Sequence, residues 1–126
     1  MKIKLLLLFT MFFFASSCHN PIQQDEQIDQ PEIIDLRYYI FPKGELPGYG
    51  NEGPFLFFYY HIKNADWREC QIDGQWVVKG SIYTREYKGD YGPFPLQDYK
   101  NGEEIMFTVI IKNSLRTVTK SISYKF

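Results

Sequence analysis

Cysteine and histidine are both scarce in this chain. There are two Cys, Cys18 and Cys70, and two His, His19 and His61. Two thiols do not make a disulfide framework, and no Cys/His group has the spacing of a zinc site. No block of Lys and Arg marks a nucleic-acid surface. Beyond Cys18 no apolar pattern with a 3.6-residue period persists for ten residues, so a helical domain is not expected. Catalytic constellations are missing too. His61 is the only His after the first nineteen residues, and no nucleophile motif surrounds it. The acidic pairs Asp25-Glu26 and Glu103-Glu104 are sequence neighbours, and neighbours on a strand point to opposite faces. The chain is therefore expected to be no enzyme, with no catalytic residue, no cofactor and no metal.

What is present begins at the N-terminus. Lys2 and Lys4 precede Leu5 to Phe14, which is apolar except for Thr10, and Ala15-Ser16-Ser17-Cys18 follows. A charged start, an apolar middle and small residues at the cut make a secretory signal. The apolar run falls short of the ~20 residues that span a bilayer. Small residues followed directly by Cys18 resemble a bacterial lipoprotein signal. The resemblance implies cleavage after residue 17, lipidation of Cys18 and attachment to a membrane through that residue. His19 stands where an Asp would favour retention at the inner membrane, so the resemblance implies the outer membrane of a bacterial envelope. Cleavage without lipidation is the alternative, leaving Cys18 as a thiol able to meet Cys70.

Net charge is −1, but it is unevenly spread. His19 to Asp35 carries five acids and no Lys or Arg; from Leu36 onward twelve bases stand against ten acids. Residues 18–31 thus read as an acidic flexible tether, with too few apolar residues to order themselves. Residues 32–126 read as one domain, large enough for a core without disulfides. Aromatic residues are abundant: 10 Tyr, 11 Phe and 2 Trp, with four of the Phe inside the signal. Tyr and Phe favour pleated, half-buried surfaces.

Period-two alternation recurs along the domain. Ile34, Leu36, Tyr38 and Ile40 share a face of a strand over 33–41. Leu56, Phe58, Tyr60 and Ile62 share a face over 55–63, with Phe57, Tyr59 and His61 on the other. A strand aromatic on both faces is expected to be central. Asp73-Gly74 joins 67–72 to 75–79 as a hairpin. Residues 81–87 read as a further strand and 88–102 as a loop, rich in Gly and Pro. Strands follow over 104–113 and 115–126. Gly48 to Gly53 spells GxGxxG, but Pro54 and a strand follow it, where a phosphate site needs a helix N-terminus.

About seven short strands punctuated by Gly and Pro predict an all-β antiparallel sandwich, with a small β-barrel as the rival. Leu96, Asn101-Gly102, the strand ending at Asn113 and the strand Val118 to Phe126 resemble the last strands of fibronectin type III and related immunoglobulin-like domains. The sandwich expected is therefore immunoglobulin-like. Its candidate partner-binding residues are rings at loops and strand ends: Tyr49, Trp67, Trp76, Tyr91, Phe94 and Tyr99. The expected function is a lipid-anchored envelope binding or assembly module for an envelope protein or a glycan. The alternatives are a loop-based hydrolase inhibitor and a carbohydrate-binding accessory lipoprotein.

Overall fold

The computed structural model describes residues 28–126. The expected signal, Cys18 and most of the expected tether lie outside these residues. Seven antiparallel strands form two packed sheets: β1 (Glu32–Phe41), β2 (Phe55–Lys63), β3 (Trp67–Ile72), β4 (Gln75–Ser81), β5 (Glu86–Pro95), β6 (Glu104–Lys112) and β7 (Thr117–Lys125). One sheet has the order β1-β2-β5 and the other β4-β3-β6-β7. This is an immunoglobulin-like sandwich of two open sheets, not a closed barrel.

The core lies where the inner alternations of β2 and β6 meet. Leu56, Phe58, Tyr60 and Ile62 face Ile105, Phe107, Val109 and Ile111, with Cys70 from β3 among them. Phe107 stacks on Phe58 with ring centroids 4.9 Å apart. Cys70 is free and fully buried, and burial pushes its thiol pKa up. A disulfide from Cys70 to Cys18 would require the sandwich to open. Arg68 of β3 donates Nε–H to the Tyr60 hydroxyl at 2.9 Å and lies 5.0 Å from the Tyr87 ring centroid.

The Asp73-Gly74 hairpin forms as expected, both residues having positive φ as a two-residue turn requires. β1 departs from simple alternation. Ile33 pairs with Ile62 and Asp35 with His61, so Ile34 is an extra residue in a bulge. Ile33, not Ile34, therefore joins Leu36 against the core.

The larger correction concerns residues 81–102. The expected strand over 81–87 and loop over 88–102 are replaced by a turn at 82–85, the strand β5, and a 3₁₀ turn over Leu96–Asp98. Gly89 and Gly92 read as loop residues, but their missing side chains make room for rings from β2. A Cβ on Gly89 would lie 2.6 Å from Tyr60, and one on Gly92 would lie 2.8 Å from Phe57. Pro93 and Pro95 are tolerated because β5 is an edge strand. Gly80, whose role the pattern left open, lies within β4 opposite Arg68.

Candidate binding surface

The rings expected at loops and strand ends do not converge. Tyr91 and Phe94 belong to β5 and pack inward, Tyr91 parallel to Phe107 and Phe94 edge-on to Phe58. They are core-packing residues rather than loop tips, because β5 replaces the expected loop. Tyr99 stacks on Phe126 with centroids 4.2 Å apart. Trp67 pairs with Lys112 and Trp76 with Gln71, so both stand on the outer face of the four-stranded sheet, on different strands. Each has a lysine ammonium over its ring, Lys112 at 4.5 Å and Lys79 at 4.4 Å. Trp76 is 58 % exposed. Tyr49 sits in the β1–β2 connection, 40 % exposed, its ring 5.0 Å from Phe55.

What the fold does bring together is the outer face of the three-stranded sheet. Paired residues on antiparallel strands share a face. The register therefore lines up Asp35, His61 and Lys88; then Arg37, Tyr59 and Asp90; then Tyr39 and Phe57; then Phe41 and Phe55. Tyr49 continues the last row through Phe55. The face is graded, charged towards the start of β1 and aromatic towards its end. Tyr39 and Phe57 are parallel to within 4° at 5.4 Å, and Phe41 meets both at steep angles. The Arg37 guanidinium lies 4.7 Å from the Tyr59 centroid and 3.5 Å from Asp35. Half of this surface was visible as the second alternation of β2. That β1 adds Arg37, Tyr39 and Phe41 to it depends on the register.

Hydrogen bonds fix the face. Tyr39 donates its hydroxyl to Asp90 Oδ1 at 3.0 Å, across β2. Its pKa is pushed up to about 12 by burial first, then by that hydrogen bond and the Asp90 charge. Burial, and next the charge of Cys70, raise Tyr60 against the opposing pull of Arg68. Burial with Asp98, Asp73 and Glu103 raises Tyr99. A phenol raised on folding stabilises the fold fully below its ordinary pKa near 10, and that contribution disappears as pH climbs through the folded value. Stability is therefore expected to be flat up to pH ~10 and to fall from there to pH ~12. In an alkaline titration followed at 295 nm, part of the tyrosine absorbance should appear only with unfolding. A single step at the ordinary pKa would contradict this.

His61 Nε2 meets Glu86 Oε1 at 2.5 Å. The pair stands on an open sheet face. A cavity of about 290 Å³ lies elsewhere, at the end of the sandwich where the chain enters, lined by Asp29, Asn64, Asp66, Ile82, Arg85 and Asn113 among others. Among the described residues no group of three His, Cys, Asp or Glu side chains is placed to hold a metal ion, and no helix is long and apolar enough to cross a membrane. No family model, no curated protein and no solved structure matches the chain.

Proposed function

We propose that this chain is a lipid-anchored, immunoglobulin-like binding module of a bacterial envelope, acting without catalysis, and that it engages a protein partner through the outer face of the β1-β2-β5 sheet. The observation that carries the reading is the graded ring-and-charge face itself, built from Arg37, Tyr39, Phe41, Phe57 and Tyr59. Aromatic residues and Arg are the types enriched in protein interfaces.

Ring geometry favours protein over glycan. Sugars stack on open ring faces. A parallel pair 5.4 Å apart is an offset stack, in which Tyr39 covers one face of Phe57. Phe57 also leans on Gly92, where an added Cβ would lie 2.8 Å from its ring. The edges remain for contact, and edges suit the apolar side chains of a protein.

Size bears on the kind of contact. A three-stranded face about 30 Å long and about 14 Å wide offers about 400 Å² per partner. That lies below the ~800 Å² per partner of a stable complex. Holding both partners at one membrane raises their effective concentration and compensates, which gives the lipid anchor a thermodynamic role. The anchor is tested by fractionation. The native chain is expected to stay with membranes through a high-salt wash, and the Cys18→Ala chain to be released. Retention of the variant would contradict the anchor.

A further inference from the structure

The described chain begins at one end of the sandwich and is clamped there. Asn113 is the hub. Its Nδ2 donates to the carbonyls of Asp29 and Asn64, each at 2.8 Å, and its Oδ1 accepts from the backbone N–H groups of Leu115 and Arg116. Asn64 Nδ2 donates to the Gln30 carbonyl at 3.2 Å, and Arg85 lies 3.8 Å from Asp29. Further backbone bonds, from Asn64 N–H to the Arg85 carbonyl and from Ile82 N–H to the Asp66 carbonyl, bind the β2–β3 and β4–β5 connections together.

The same end carries exposed apolar side chains. Tyr83, in the β4–β5 connection, is 94 % exposed; Ile28 is 54 % and Leu115, in the β6–β7 turn, 49 % exposed. Nine residues lie between Cys18 and Ile28, so over the ten Cα-to-Cα steps Ile28 cannot stand more than about 35 Å from the anchored residue. The opposite end, with the Tyr49 connection and the Asp73-Gly74 turn, is a strand length of about 30 Å further away.

We propose that this clamped end docks on the bilayer that holds the anchor, with Tyr83 and Leu115 entering the headgroup region. The inference rests on the lipid-anchored reading above. A short tether confines the end to a millimolar effective concentration at the surface, so a contact with Kd on the order of 1 mM is half occupied. Tyr is a residue that settles at the membrane–water interface. Arg85 lies 3.8 Å from Asp29, and the other charges at this end, Lys63, Lys112 and Arg116 against Glu32, Asp66 and Glu86, balance in number, so the contact takes a zwitterionic surface and is insensitive to salt. Docked this way, the strands run along the membrane normal. The ring-bearing sheet face then points sideways, towards neighbours in the same membrane.

The test supplies the anchor chemically, so its outcome is independent of whether cells lipidate Cys18. The chain from Cys18 is coupled to phosphatidylcholine vesicles carrying a maleimide lipid; Cys70 is buried and does not compete. Tyr83→Trp and Tyr49→Trp chains are compared with the parent for quenching by brominated lipid. Tyr83 is 94 % exposed, and Tyr49 is 40 % exposed with its ring against Phe55, where the indole of a Trp keeps the aromatic contact. The Trp at position 83 is expected to be quenched at least about twofold, the Trp at position 49 not at all, in low and high salt alike. Equal quenching at the two positions, or none at position 83, would overturn the proposal.

Discussion

Phe107→Ala is expected to cost about 3–5 kcal/mol, as large aromatic-to-alanine changes in a packed core do. Phe107 is fully buried and stands between the sheets. It lies against Phe58, Tyr91 and Tyr60, at 4.9, 6.3 and 6.1 Å between centroids. All three rings belong to the sheet that carries the proposed binding face, so the loss would loosen the support of that face as well as the core. Domains of this size are stable by about 5–15 kcal/mol, and each kcal/mol shifts the melting temperature by about 4–8 °C. A fall of at least about 12 °C in a thermal melt is expected. A fall under about 5 °C would mean that the two sheets do not meet at Phe107.

Gly89→Ala is expected to cost about 1–3 kcal/mol, the usual range for overpacking. The added methyl would lie 2.6–2.8 Å from Tyr60 Cζ, Oη and Cε1, where no contact is tolerated. Tyr60 cannot simply turn away. It is buried, accepts the Arg68 hydrogen bond, and packs against Tyr87 and Phe107. The clash is specific to that ring, so the cost should shrink in a Tyr60→Leu background; contacting pairs are non-additive in this way. Urea unfolding of the four chains measures the coupling. Equal costs in both backgrounds would show that Gly89 is not needed for the ring.

Gly89 also explains where the sequence stops being legible. β2, β6 and the Asp73-Gly74 hairpin declare themselves locally, through alternation and a turn dipeptide that needs positive φ. β5 does not. Its glycines and prolines carry a loop's composition, and the rings that fill the space above them come from β2, about thirty residues away in the chain. Tyr91 and Phe94 carry the pattern of loop or strand-end rings for the same reason. Half of the candidate surface was readable as the Phe57, Tyr59 and His61 alternation. Its union with Arg37, Tyr39 and Phe41 rests on a register set after the bulge at Ile34, and with isoleucine at both 33 and 34 the alternation does not show which of the two is the extra residue.

The proposed protein-binding face of the β1-β2-β5 sheet is most directly tested by photo-crosslinking in cells. A benzoylphenylalanine is placed at Arg37, whose side chain is exposed on the β1-β2-β5 face, or at Thr119 on the outer face of the other sheet. A discrete protein adduct from position 37, absent from position 119, is the expected result. No adduct from position 37, or adducts from position 119 alone, would contradict the account.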